Sequence, residues 1–246
     1  MESTILVREA TPDDKKYAIT ITDEMAESAK ARGTGIAKRS PDYIQSKMDE
    51  GKAVIALTPE GTWVGFCYVE AWEHGKYVAN SGLIVAPAFR KSGVAKEIKR
   101  KIFALSRKRY PDAKIFGLTT GLAVMKINSE LGYEPVTYSE LTTDEEFWKG
   151  CRSCVNYEIL MSKDRNNCMC TAMLYDPKEK EAAVNAPTVT AQPAVRRKHQ
   201  RHFAENFSLF ERWVRFKQFV MLKGWRRKEG ETEEKSKSLL HFLFFW

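Results

Sequence analysis

Apolar and polar positions along the chain change period several times between Thr4 and Pro177, and the changes predict strands and helices in turn. "TILVREA" (Thr4–Ala10) reads as a first strand. Thr11 then stands where a helix N-cap belongs, with Pro12 in the first helical position and Asp13 and Asp14 in the first turn, so a helix is predicted to about Arg32, ended by "GTG" (Gly33–Gly35). Ser40-Pro41-Asp42 repeats that start for a second helix closing at Gly51. "AVIAL", "TWVGFCYVEAW" and "YVANSGLIVA" read as three strands, separated by the turns "TPEG" and "EHG". Val94 to Arg109 returns to helical spacing, "AKIFGLTT" is a further strand, and "LAVMKINSELG" is a short helix stopped at Gly132.

Consecutive strands in the middle of this order predict antiparallel hairpins, and the strand-helix-strand that follows predicts a parallel pair. The expected class is therefore α/β, a mixed central sheet with flanking helices. The organised domain covers about residues 1–140, a cysteine-rich extension covers 141–177, and 178–195 lacks periodicity and reads as a linker. In the tail, 196–246, Phe203, Phe207, Phe210 and Val214 form one row at helical spacing, and Leu209, Trp213, Phe216 and Val220 form another. Arg212, Arg215 and Lys217 interrupt the edges of this arc, the pattern of a basic amphipathic helix.

Composition narrows the setting. The chain has 246 residues, 43% hydrophobic and 29% charged, which suits a soluble globular protein. No window reaches the ~18–20 apolar residues of a membrane span. The N-terminus lacks the basic region, apolar core and small-residue cleavage site of a signal peptide, so a cytoplasmic protein with reduced thiols is expected. The net charge of +8 is confined: Arg196–Lys228 holds eleven Lys or Arg against two Glu, leaving the rest of the chain near −1. A general affinity for nucleic acid is not what that total means. The tail's helix has three competing uses: docking on its own domain or a second subunit, lying on an anionic membrane surface, or contacting nucleic acid. Its aromatic area favours docking.

"APAFRKSGVAKEIKRKIF" (Ala86–Phe103) places basic residues and one glycine between a strand and a helix. A helix N-terminus leaves main-chain N–H groups unpaired and carries partial positive charge, so it attracts anions. Gly93 lets a diphosphate approach the backbone, and Arg90, Lys91 and Lys96 can add charge-assisted hydrogen bonds. "RKSGVA" resembles the pyrophosphate loop of the GNAT superfamily of N-acetyltransferases: Gln or Arg, two variable residues, Gly, one variable, then Gly or Ala. "LIVAPAFRKSGVAKEI" is similar to that family's strand, splay and loop, and "LAVMKINSELGYEPV" to its later helix and Leu-Gly-aromatic block; the likeness covers about residues 3–140.

The resemblance implies a GNAT-like sheet and acetyl-CoA as cosubstrate. Arg90, Lys91, Ser92, Gly93, Val94 and Ala95 would hold the diphosphate, chiefly through main-chain N–H groups. Leu83 and Val85 would bond the pantetheine arm as an added strand, and main chain near Leu83 and Ile84 would polarise the thioester carbonyl. Asn128 falls where many members carry a tyrosine acid; an amide can hydrogen-bond the cofactor but cannot protonate a thiolate. Tyr133 is the substitute acid.

Acetyl transfer to an amine needs a neutral nucleophile and donors for an oxyanion. The strand before the loop offers only Asn80 and Ser81, so Glu70 of the neighbouring strand is the candidate base, acting through water. His74 reads as a solvated turn residue and Cys67 as a small buried apolar one. The other cysteines, Cys151, Cys154, Cys168 and Cys170, form two close pairs, a donor set that suits a structural zinc. "EFWKGCRSC" resembles the tail of short, single-domain N-acetylglutamate synthases, which implies the α-amine of glutamate as acceptor, in arginine biosynthesis. Lys38 and Arg39 are available to a dicarboxylate. Other amines (protein, polyamine or antibiotic) remain open, as does a non-catalytic coenzyme A-binding or zinc and basic-helix adaptor.

Overall fold

The computed structural model describes residues 5–33 and 38–185, and the strands and helices follow the order read from the sequence. β1 (Leu6–Glu9) leads through a 3-10 turn (Pro12–Tyr17) into α1 (Ala18–Arg32), and α2 (Pro41–Asp49) follows. Asp14 locks that entry. It accepts two hydrogen bonds from Arg8 of β1, at 2.6 and 2.8 Å, and one from the Thr11 N–H at 2.8 Å. At α2 the Ser40 hydroxyl caps the Tyr43 N–H (3.2 Å), and Pro41 occupies the first turn.

β2 (Ala53–Leu57), β3 (Trp63–Trp72) and β4 (Tyr77–Val85) make an antiparallel meander. α3 (Val94–Arg109) crosses back to β5 (Lys114–Thr119), parallel to β4, and α4 (Leu122–Glu130) and β6 (Glu134–Val136) follow. The sheet order is β1-β2-β3-β4-β5-β7-β6, with β7 at Thr171–Tyr175. The cysteine-rich stretch is therefore no separate extension. After α5 (Glu145–Lys149) and α6 (Tyr157–Met161) it returns to the sheet, because Ala172, Met173 and Leu174 bury fully between β5 and β6.

Pro177–Asn185 is a helix, α7, where the sequence reads as linker. Pro177 starts it, and the Asp176 carboxylate accepts the Lys178 N–H at 2.9 Å, a local N-cap that outweighs the weak periodicity. The basic amphipathic helix expected in the tail, 196–246, lies outside the described residues. Among the described residues no helix is long and apolar enough to cross a membrane.

The core lies on both faces of the sheet. On one, Ile21 and Met25 of α1 and Ile44 and Met48 of α2 cover Phe66 and Ile84. Further along that sheet, Phe116, Tyr138, Leu141, Trp148 and Leu160 form a second cluster. Ile98, Ile102 and Leu105 of α3 are also buried.

Two irregularities position the site. β4 pairs with β5 only through Tyr77–Ala79 against Lys114–Phe116, so from Asn80 onward the β4 edge facing β5 has no ladder. On the other side, Phe66 faces Ile84 and Tyr68 faces Ser81, which sets Cys67 against two residues, Gly82 and Leu83. Gly82 is at φ +65°, and a Cβ there would run into the Tyr68 ring, so this bulge requires glycine.

Candidate active site

The loop after β4 presents unused donors. Gly93 takes φ +87° and begins α3 with no side chain capping it. The main-chain N–H groups of Lys91, Ser92, Gly93, Val94 and Ala95 have no hydrogen-bond partner among the described residues; the first bonded amide of the helix is that of Lys96, to the Gly93 carbonyl at 2.9 Å. Nothing stands within 4 Å of a Cβ built on Gly93. Consecutive amides, a helix N-terminus and open space together suit a diphosphate.

The side chains of this loop play a different part from the one expected. The Arg90 guanidinium donates to the Val85 carbonyl (3.1 Å), to Glu24 (2.7 Å) and to Ser28 (2.8 Å), which ties the loop to β4 and α1. Lys96 pairs with Glu130 of α4 at 2.7 Å. Both shape the cradle rather than offering free charge, while Lys91 is exposed.

The free edge of β4 runs from this loop past Val85, Ile84 and Leu83 to the bulge. Across the opening, Asn128 of α4 is 1% exposed, its Nδ2 stands 3.8 Å from the Met173 sulfur, and its Oδ1 has no partner. A Cβ on Gly117 of β5 would lie 3.7 Å from that Nδ2, which puts Asn128 beside the splay. A buried orphan acceptor at this place fits a cosubstrate that brings its own N–H or S–H donor.

Glu70, on the α2 face of β3, is 8% exposed. The Tyr43 hydroxyl donates to its Oε1, and Arg39 Nη2 reaches the same oxygen at 3.2 Å. Arg39 Nε also donates to the Tyr68 hydroxyl at 3.0 Å. Burial, then Glu70, pushes the Tyr43 phenol far above its ordinary range, so its hydroxyl keeps the proton it donates. Burial opposes the Arg39 charge, but Tyr68 and Glu70 outweigh it and the guanidinium stays cationic. Sequence reasoning missed Tyr43 and Tyr68. For Tyr68 there was a signal, since it alternates with Glu70 along one strand and so shares its face; for Tyr43 there was none.

Tyr133 is placed away from this group. It packs against Phe103 of α3 and Tyr175, and its hydroxyl accepts from Asn80 Nδ2 at 3.0 Å. Asn80 in turn accepts from Ser106 of α3 at 2.7 Å, so Tyr133 belongs to the α3 face and Glu70 to the α2 face. Burial holds the Tyr133 phenol well above its usual value. Lys99, 2% exposed, rests its ammonium 5.4 Å from the Tyr133 ring centre. Cys67 is buried, and desolvation pushes its thiol up to about 11, as a packing residue should behave; His74 is an exposed turn residue at φ +54°.

The four remaining cysteines form no disulfide, and among the described residues no group of three or more His, Cys, Asp or Glu side chains is placed to hold a metal ion. The structure does not support the zinc site read from the spacing of Cys151, Cys154, Cys168 and Cys170.

The chain has a mixed seven-stranded sheet with flanking helices, a GNAT-like fold. It overlays the N-acetylglutamate synthase of Neisseria gonorrhoeae, solved with coenzyme A and N-acetylglutamate, with a TM-score of 0.50 at 15% identity over 72% of this chain. It spans only 36% of that synthase. A Mycobacterium tuberculosis protein solved with coenzyme A matches with a TM-score of 0.50 at 17% identity, covering 70% of this chain and 98% of that one. In sequence, the chain is 28% identical over 138 residues to the thialysine N-epsilon-acetyltransferase of Caenorhabditis elegans, 55% of this chain and 83% of that protein. No family model matches the chain.

Proposed function

We propose that the chain moves the acetyl group of acetyl-CoA to a primary amine. The observation that carries this is the row of five unpartnered amides at Lys91–Ala95, continuous with the free edge of β4. The row receives the diphosphate. Leu83, Ile84 and Val85 extend main-chain bonding to the pantetheine arm, although the Val85 carbonyl already takes one bond from Arg90. Asn128 Oδ1 accepts a donor from the same arm.

Acetyl-CoA supplies the activated carbonyl. The protein supplies three things: a proton acceptor in Glu70, working on the ammonium of the acceptor through water; main-chain N–H groups at the bulge before Ile84, aimed at the carbonyl oxygen; and a fixed approach, because Arg39 and Tyr43 hold the Glu70 carboxylate in place. Asn128 cannot protonate the leaving thiolate. Tyr133, whose phenol stays protonated, serves as its proton source only if the thiol is delivered to the α3 face.

For the finer identity of the acceptor, the α-amine of glutamate rests on the likeness of "EFWKGCRSC" to short synthases and on Lys38, which is exposed and next to Arg39 in the chain. Arg39, the other cation expected for a dicarboxylate, already serves Glu70. A terminal alkyl amine is the second reading, favoured by the relative that acetylates thialysine and by a site wall that offers a carboxylate and two phenols. A thiol-release assay with acetyl-CoA and glutamate, lysine, thialysine and spermidine in parallel tests both. Turnover with glutamate alone selects the first and turnover with thialysine the second. Failure with every amine, together with no heat on titrating coenzyme A, removes the proposal.

A further inference from the structure

Lys99 carries a charge where the fold offers it no partner. Its side chain is buried in α3, and its ammonium has no hydrogen bond or ion pair among the described residues. It rests over the Tyr133 ring, 5.4 Å from the ring centre. The ionisable groups on the elements packed against α3 supply no counter-charge. Burial pushes the Cys67 thiol of β3 up to about 11 and keeps the Tyr133 phenol protonated. Glu130 of α4 is taken by Lys96 at 2.7 Å. A buried, unpaired ammonium is costly, and an apolar side chain would fill the same space without that cost.

The helix sets Lys99 beside the free edge of β4. Ser106, two turns further along α3, donates to Asn80 of β4 at 2.7 Å. Two turns of helix rise about 10 Å, which about three residues of strand also cover, so Lys99 is level with Leu83 and the bulge. Ile98, its neighbour, agrees: a Cβ built on Gly65 of β3 would meet Ile98, the Ile84 carbonyl and the Val85 side chain together. Lys99 lies about a quarter-turn round the helix from Ile98, on a stripe with Lys96 and Phe103. Lys96 pairs with α4, and Phe103 packs on Tyr133 and Tyr175 with ring centres 5.6 and 5.0 Å away. That stripe therefore faces α4 and β7, the side on which β4 parts from β5. A buried titratable group without a structural partner, at the edge of a proposed ligand channel, points to chemistry with the ligand.

We propose that the Lys99 ammonium gives a proton to the coenzyme A sulfur as it leaves, an inference that rests on the acetyl-transfer reading above. When the acceptor amine attacks, its nitrogen bonds the acetyl carbon, the carbon–sulfur bond breaks, and the electron pair stays on sulfur. The thiolate takes its proton from Lys99 Nζ, which is left as a neutral amine and is reprotonated from solvent. The acceptor ammonium loses two protons through water and Glu70, one before attack and one after, so one proton is released per turnover. Lys99 thus does what the Asn128 amide cannot. Desolvation lowers the Lys99 pKa, so its ammonium is a better acid than that of an exposed lysine.

The test compares the full wild-type chain with Lys99→Met, which keeps the side-chain length and removes the charge. Calorimetry should show both binding coenzyme A. The thiol of bound coenzyme A is then titrated by its thiolate absorbance, with desulfo-coenzyme A as the blank. It should ionise about one pH unit or more lower in the wild type than in Lys99→Met, because a nearby cation favours the thiolate. With the amine that turns over, kcat should fall on the order of 10²-fold while the melting temperature does not fall, a combination that a packing role would not give. Should Lys99→Met fail to fold, the wild-type titration decides: a bound thiol that ionises no lower than free coenzyme A overturns the proposal. Equal thiol ionisation in the two chains, or an unchanged kcat, overturns it alone. Absence of coenzyme A binding in the wild type overturns the acetyl-transfer reading, and this inference with it.

Discussion

Arg39 Nη2 and Glu70 Oε1 lie 3.2 Å apart, joining the segment before α2 to the middle of β3 across 31 positions of sequence. With the Tyr43 hydroxyl on the same oxygen, the carboxylate is fixed at the wall where an acceptor amine would enter. Glu70→Gln keeps the shape and removes the proposed proton acceptor. Steady-state kinetics should show kcat reduced on the order of 10²–10⁴-fold, with the KM for acetyl-CoA nearly unchanged. An equal rise in the acetyl-CoA KM would place Glu70 in cofactor binding instead. Arg39→Lys retains charge but not the two-way fork to Tyr68 and Glu70, and should cost about tenfold in kcat/KM for the amine.

Gly93→Ala separates backbone strain from ligand space. No atom of the protein blocks the new methyl, so the folded state loses only the left-handed penalty, about 1–2 kcal/mol. Coenzyme A affinity by calorimetry should fall further, since the methyl enters the proposed diphosphate cradle. Gly33→Ala, at φ +57° and equally open, is the matched control: similar strain with coenzyme A binding kept. Equal losses of affinity in both variants would contradict the cradle.

Asn128→Leu replaces a buried amide whose oxygen has no partner by a side chain of similar volume. The apo protein should hold its melting temperature or gain about 1 kcal/mol, while the thermal shift on adding coenzyme A shrinks. A large loss of apo stability with an unchanged shift would show that Asn128 is structural.

Lys99 carries a pH signature. Desolvation lowers its pKa in the folded state, so between that value and the ordinary lysine value the unfolded chain binds a proton that the folded chain does not. Stability contributed by this site therefore rises with pH through that window and is most reduced below it. Lys99→Met should stabilise the protein by about 1–4 kcal/mol at neutral pH, with the difference from wild type narrowing as the solution becomes alkaline. Urea denaturation at neutral and alkaline pH measures it; a difference independent of pH would assign the effect to packing.

The sequence by itself determined the shape of the proposed anion cradle, because its parts are consecutive: a strand end, Arg90 to Ala95, a glycine that can turn left-handed, and the first turn of α3. It also determined the element order through Glu130, since period and caps are local properties. It misjudged Pro177–Asn185, where one side-chain cap outweighs weak periodicity, and the cysteine-rich stretch, which reads as an appendage until pairing places Thr171–Tyr175 between β5 and β6. Only the tertiary structure decided what surrounds Glu70. Tyr43 is 27 residues and Arg39 31 residues away, and no local rule brings them to one oxygen. It likewise put Tyr133 on the opposite face from Glu70 and turned Arg90 from a free cation into a brace between β4 and α1. Those outcomes depend on which sheet face each strand residue occupies and on how helices pack across it, a matter of long-range burial and pairing that short stretches of sequence do not carry.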